Sequence, residues 1–346
     1  MLPVTVIGSY PPPAWFRHLL EARQAERIGA EELEEAGRDA MQVVIREQEA
    51  AGVDLLTDGE LGRILSAPEP IHALNETVGF LWGLLARMEG IEYQRGGEGS
   101  GRFRAVGPIR APSGLGLAAE FTQARAMTDH PLKTTLPGPF SLALMLCDAR
   151  EADAMQAALE ALGPILRTEL ETLAAAGARD VQLDEPSLGM FMGINPERWV
   201  AYFNELVRGL PFRLHLHICF RNLAAATRSV PRSYKPLMPY LNDLQVEVIH
   251  LEYSLNDMRE LELLGTIGYD KHVAIGVVDA HRPEVETAQS VATRIRSCLR
   301  YVDVRRLRLA PDCGLSALPR AVARAKLKSL ADGARIVRNE FSRGKR

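Results

Sequence analysis

The sequence predicts a single-domain α/β fold, an eight-stranded parallel (β/α)8 TIM barrel spanning residues 1–346, on three observations. Eight short β-rich runs recur along the chain, helical stretches separate them, and 346 residues is a length this barrel routinely uses as one domain. An open doubly wound sheet with extra strands is the alternative for the same alternation.

The runs lie at residues 3–8 (PVTVIG), 53–58 (VDLLTD), 133–137 (KTTLP), 180–184 (DVQLD), 213–219 (RLHLHIC), 247–252 (EVIHLE), 272–278 (HVAIGVV) and 307–310 (LRLA), most of them bounded by turn residues. Between them, residues 151–178 are rich in Ala, Leu and Glu and stop at Gly177, a C-cap residue. Residues 283–300 open with a proline followed by acidic residues, as a helix N-terminus does. Residues 318–339 form the last long helix, which leaves 341–346 as a solvated tail. The connection from Pro11 to Gly52 has room for two helices, and the one from Gly59 to Leu132 is longer. Its Gly/Arg-rich stretch, 90–104, reads as an exposed loop or a hairpin over the barrel mouth. No internal repeat or low-complexity linker marks a second domain.

Composition narrows the function classes. Apolar residues make up 47% and charged residues 25%, which is globular rather than disordered. A net charge of −3, from 41 basic and 44 acidic residues, gives no electrostatic case for nucleic acid or an anionic membrane. No apolar stretch reaches bilayer length, and the start MLPVTVIGSYPPP lacks the basic and apolar regions of a secretory signal. Four cysteines with no Cys-x-x-Cys pair point to reduced thiols in the cytoplasm.

In such a barrel the active site is built at the C-terminal strand ends. Those ends carry Ile7-Gly8-Ser9, Asp58-Gly59-Glu60, Asp184-Glu185-Pro186, His215-x-His217-x-Cys219, Glu252, Asp279-Ala280-His281 and Asp312-Cys313-Gly314. His215, His217 and Cys219 alternate along one run, so their side chains share a face. Glu252 and Cys313 from neighbouring ends complete a tetrahedral set with His217 and Cys219, and two thiolates, an imidazole and a carboxylate suit zinc. The competing reading is that the two cysteines are buried small hydrophobes. His215 reads as a packed histidine or a support behind a ligand. Asp184-Glu185 is an acid/base pair, a partner for a substrate amine, or a turn; Asp58 and Glu60 alternate, so both can face the mouth. His281 follows a strand end and titrates near working pH, a proton donor or a surface histidine. The Gly8-Ser9 turn offers backbone N–H groups to an anion. A Rossmann reading fails because no Gly-x-Gly-x-x-Gly follows the first run. Two cysteines weigh against hydrolytic zinc, which usually sits among His and carboxylate ligands.

With these residues in place the chain resembles the C-terminal catalytic barrel of cobalamin-independent methionine synthase. The matching pieces are IGSY, TDGELGR, LPGP, LDEPSL, HLHIC, LE, VVDAHRPEVE and APDCGL, in that family's order from residue 7 to 315. The resemblance implies zinc held by His217, Cys219, Glu252 and Cys313. It implies a homocysteine site with Ile7, Gly8 and Ser9 for the carboxylate and Glu60 and Asp184 for the amino group. It implies His281 as the catalytic histidine of a methyltransferase that forms methionine. Three departures bear on the methyl donor. Full-length members carry a second, N-terminal barrel that helps bind polyglutamylated folate, and this sequence matches only the catalytic barrel. Folate-using members have a tryptophan shortly after the Gly-Pro turn, about where Met145 stands. Arg221 occupies a position where short relatives often have glycine. On these grounds the resemblance favours methylcobalamin or a corrinoid protein over methyltetrahydrofolate. The rival functions are zinc-dependent alkyl transfer to another thiol, such as coenzyme M, and a non-catalytic barrel stabilised by zinc.

Overall fold

The computed structural model describes residues 1–65, 83–94, 102–147, 151–186, 188, 195–220 and 233–343. Arg221 and residues 95–101 of the Gly/Arg-rich stretch lie outside them. Six parallel strands form one sheet in chain order: β3 (Lys133–Pro137), β4 (Asp180–Asp184), β5 (Arg213–Ile218), β6 (Val248–Leu251), β7 (His272–Val278) and β8 (Leu307–Pro311). The first two runs close it into a barrel through parallel bridges, Val4 with Leu309, Thr5 with Leu55 and Leu56 with Leu132. The eight-position barrel read from the sequence is therefore present.

The first two runs are not full strands, which corrects their expected extents of 3–8 and 53–58. Side chains take the places of ladder bonds. Val4 N donates to Asp54 Oδ2 at 2.7 Å, Thr57 N donates to Gln48 Oε1 at 3.0 Å, and Pro3 has no N–H to offer. Backbone bonds persist around the crossing points, among them Thr5 N to Leu309 O at 2.8 Å, Leu55 N to Val4 O at 3.1 Å, Leu56 N to Pro131 O at 3.0 Å and Lys133 N to Leu56 O at 2.8 Å.

The connection after the first run holds two helices as expected, α1 (Ala14–Gln24) and α2 (Ala30–Ala51). After the second run come α3 (Leu61–Ile64), the antiparallel hairpin β1 (Glu89–Gln94) and β2 (Arg102–Arg110), and α4 (Leu117–Arg125). The hairpin packs beside α5 (Pro139–Leu146) and α6 (Ala152–Ala175). Three further helices, α7 (Pro196–Val207), α8 (Met238–Leu241) and α9 (Ala288–Cys298), follow β4, β5 and β7. The expected start of α9 at Pro283 is too early: Thr287 caps it, accepting from Ser290 N at 3.1 Å. The acidic residue ahead of it is otherwise committed, since Glu286 accepts from Asp279 N at 2.8 Å and pairs with Lys326 at 2.9 Å. The last helix, α10 (Arg320–Arg343), overruns the expected tail at 341–346. No glycine or proline interrupts residues 341–343, and Phe341 packs partly against the core.

All four cysteines are free, and no helix of the described residues is long and apolar enough to cross a membrane. Cys147 is half-buried and Cys298 buried.

β4 separates the two adjacent carboxylates. Asp184 ends the strand, whereas Glu185 anchors the start of α5, accepting from Phe140 N at 3.0 Å, Ser141 N at 2.8 Å and Ser141 Oγ at 2.7 Å. Burial pushes the Glu185 carboxyl up to about 7 despite these donors. A carboxyl raised on folding stabilises the fold most at acid pH, and that contribution fades as pH climbs from the unfolded value through about 7. Glu185→Gln, which stays neutral, is expected to gain on the wild type in melting temperature between about pH 5 and pH 8. A stability difference that does not change with pH would contradict this assignment.

Candidate active site

The alternation of β5 places His215 and His217 on one face, and Cys219 continues it one residue beyond the strand. Cys313 arrives from the end of β8. The ligating atoms of His217, Cys219 and Cys313 all lie within 4.8 Å of one another, and all three residues are buried. No other such group of three occurs among the described residues.

The donor set fits a metal ion. The two sulfurs are 3.9 Å apart. That is far beyond a disulfide's ~2.05 Å. It is close to the ~3.8 Å separating two thiolates on one tetrahedral zinc with Zn–S of ~2.3 Å. Both ring nitrogens of His217 are buried without a hydrogen-bond partner, an arrangement a ligand role would relieve. Burial pushes His217 down to about 3, so its imidazole is in the neutral, metal-binding form at neutral pH.

Glu252 stands just outside this group. It is buried at the end of β6, with Oε2 at 3.5 Å from His281 Nε2. The structure thus gathers three of the four residues expected to hold metal and turns the fourth toward the expected catalytic histidine. His215 is not in the group. It bonds Asp180 Oδ1 through Nε2 and His250 Nε2 through Nδ1, both at 2.9 Å, on the barrel axis beneath the cluster. The loop bearing His281 is pinned: Asp279 Oδ1 accepts from His281 N at 2.7 Å, and Glu286, held by Lys326, accepts from Asp279 N.

A second group assembles across the mouth from the first two barrel positions and β4. Glu60 adopts φ +62°, an unusual left-handed conformation for a residue with a side chain, fixed by its N–H on Asp58 Oδ1 at 2.9 Å. Asp58 therefore serves the turn, and Glu60 occupies the site. The Glu60 carboxylate lies against Gly8 so closely that a Cβ there would collide with it. It accepts from Thr135 Oγ1 at 2.5 Å and pairs with the buried Arg63 guanidinium at 3.2 Å. Asp184 Oδ1 accepts from Gln182 Nε2 at 2.7 Å, and the same amide nitrogen donates to Ile7 O at 2.9 Å. Lys133 Nζ bonds Gln182 Oε1 and Val6 O beneath. Ser9 is buried beside Gly314, its carbonyl accepting from Leu315 N at 2.8 Å. Burial pushes both Glu60 and Asp184 up, and their mutual repulsion raises Asp184 further. Such a pair is poised to receive a cation.

Sequence reading missed Arg63, Gln182 and Lys133, the groups that hold this pocket. Arg63 stands three residues after Glu60 within TDGELGR, and Lys133 and Gln182 occupy inward positions of strands read correctly; those were the available signals.

The barrel mouth thus carries a His/Cys cluster able to hold a metal ion on one side and two buried carboxylates on the other. Residues 2–336 match the family model described as "Cobalamin-independent synthase, Catalytic domain". The chain is 33% identical over 347 residues to a methionine synthase of Saccharolobus islandicus, covering 99% of this chain and 97% of that one. It is 31% identical to the methionine synthase of Sulfurisphaera tokodaii, covering 99% and 94%. A B12-independent methionine synthase from Shewanella, solved with selenomethionine, superposes with a TM-score of 0.84 at 26% identity over 99% of both chains. A methyltransferase from Methanosarcina mazei shares the fold, with a TM-score of 0.63 at 14% identity over 97% and 94%. The chain belongs to the cobalamin-independent methionine synthase catalytic-domain family and is a methyltransferase.

Replacing one cluster thiol tests the metal reading. Cys313→Ser is expected to lower zinc retained after dialysis against a chelator from about one per chain to well below half, read by elemental analysis. Retention at the wild-type level would remove Cys313 from the site.

Proposed function

We propose that this protein transfers a methyl group to the sulfur of homocysteine, forming methionine. The observation that carries the reading is the juxtaposition, in one mouth, of the His217–Cys219–Cys313 cluster with the Glu60 and Asp184 carboxylates. The first matches a thiol and the second an ammonium, the two ends of one small amino acid. His217, Cys219 and Cys313, with Glu252 beside them, would hold zinc, which when bound keeps the substrate sulfur as a thiolate at neutral pH, where a free alkyl thiol is mostly protonated.

The chain's own residues do the rest. Glu60 and Asp184 receive the ammonium, which relieves their repulsion and aligns the sulfur for attack. The Ile7, Gly8 and Ser9 backbone borders the carboxylate end. In the transfer the new S–CH3 bond forms as the bond from methyl carbon to donor breaks, and its electron pair leaves with the donor. His281, half-buried and held on Asp279, supplies a proton to that departing group. An acceptor without an amino group, such as coenzyme M, brings no cation to Glu60 and Asp184, which weighs against that alternative.

The donor expected from sequence, methylcobalamin or a corrinoid protein, loses its support. The family is described as cobalamin-independent, and a relative in it as B12-independent. Methyltetrahydrofolate is therefore the donor of this proposal. Met145, at the position that prompted the other view, lies near the end of α5 as a partly buried packing residue.

The test is methionine formation from homocysteine by zinc-loaded protein given methyltetrahydrofolate or methylcobalamin in parallel. Turnover with methyltetrahydrofolate is expected. Turnover with methylcobalamin alone would overturn the donor, and silence with both would overturn the acceptor.

A further inference from the structure

The cluster residues and Glu252 come from three separate strand ends, and each end is free to move relative to the others unless something fixes it. Two buried polar residues do so without joining the cluster. Tyr234, just ahead of α8, places its hydroxyl between β5 and β6. It donates to Ile218 O at 2.9 Å and accepts from Glu252 N at 2.8 Å. Ile218 is the residue before Cys219, and the paired register of the two strands stops at Ile218 opposite Leu251. The hydroxyl therefore carries the connection one residue further, to where the functional side chains project. Its ring is wedged between those of Phe220 at 4.6 Å and Tyr253 at 5.7 Å, so its position is fixed by packing.

Asp312 performs the corresponding task between β6 and β8. It precedes Cys313 and is buried. Its carboxylate accepts from three successive amides after Glu252: Tyr253 N at 3.0 Å, Ser254 N at 2.9 Å and Leu255 N at 2.7 Å. Its own N–H donates to Val278 O at 2.9 Å, which adds the end of β7. Gly276 leaves room for it, since a Cβ there would collide with the carboxylate. One side chain thus ties the backbone beside Cys313 to the three residues that follow Glu252.

We propose that Tyr234 and Asp312 are positioning residues of the metal centre: together they hold the backbone at Cys219, Glu252 and Cys313 in a single frame across β5, β6 and β8. The inference rests on reading His217, Cys219 and Cys313 as the metal site. Metal affinity then depends on two groups that never touch the ion, as it does for residues that orient ligands elsewhere.

The test is zinc affinity by competition with a chromophoric chelator, on wild type, Tyr234→Phe and Asp312→Asn. Tyr234→Phe keeps the ring and removes only the hydroxyl. Zinc affinity is expected to fall about 10- to 100-fold in each variant, with a changed absorption spectrum of the cobalt-substituted protein. A merely structural role would lower the melting temperature of the metal-free protein and leave the zinc dissociation constant within about twofold of wild type; that result overturns the proposal. Should the variants not fold, hydrogen exchange in the wild type decides. Because coupling is reciprocal, added zinc must slow exchange at the amides of Glu252 to Leu255. Zinc bound with no change there overturns the proposal, whereas a wild type that binds no zinc overturns the metal site itself.

Discussion

A barrel interior holds charge only where each polar group finds a partner, because water is scarce and an unpaired buried group costs ~1–3 kcal/mol or more. Here the axis is not filled by the usual layers of branched apolar side chains. Lys133, Gln182 and Asp184 form one chain of contacts beneath the mouth, and Asp180, His215 and His250 form another. Gln182 is the joint of the first: its amide accepts from Lys133 and donates to both Ile7 O and Asp184 Oδ1. The two halves of the amino-acid pocket are thereby set by one fully buried side chain. The second chain keeps its imidazoles neutral, with burial pushing His215 down to about 3.

The mouth is assembled from two kinds of backbone. Its His217–Cys219–Cys313 side stands on strands of the parallel sheet, β5, β6 and β8, whose ends are strapped by Tyr234 and Asp312. Its amino-acid side stands on the first two barrel positions, where single bridges and side-chain bonds replace a ladder. That irregularity is what lets Glu60 take a left-handed turn and bring its carboxylate against Gly8. Arg63, buried and shared between Glu60 and Glu120, compensates the charge that results. Under the proposed function a small zwitterion with a thiol at its far end would span the two sides.

Much of this was legible in the sequence. Alternation along residues 213–219 put His217 and Cys219 on one face, and the strand ends after 184 and 310 supplied Asp184 and Cys313. β3, β4 and β7 have the limits their composition predicts. What failed did so where distant side chains override local pattern. Asp54 and Gln48 take ladder positions of the first two runs, and Thr287 rather than Pro283 starts α9. The supports of the site were hidden for the same reason: Gln182 bonds a carbonyl 175 positions away, and Asp312 reaches amides 57 to 59 positions away. Periodicity carries no record of such contacts.

The central claim is that the cluster holds a metal that receives the substrate thiol. X-ray absorption at the zinc edge, on the loaded protein before and after homocysteine, tests it most directly. The account predicts two sulfur neighbours before addition and a third, at about 2.3 Å, afterwards. A shell that keeps its two sulfurs in the presence of saturating homocysteine would contradict it and leave the zinc with a structural role.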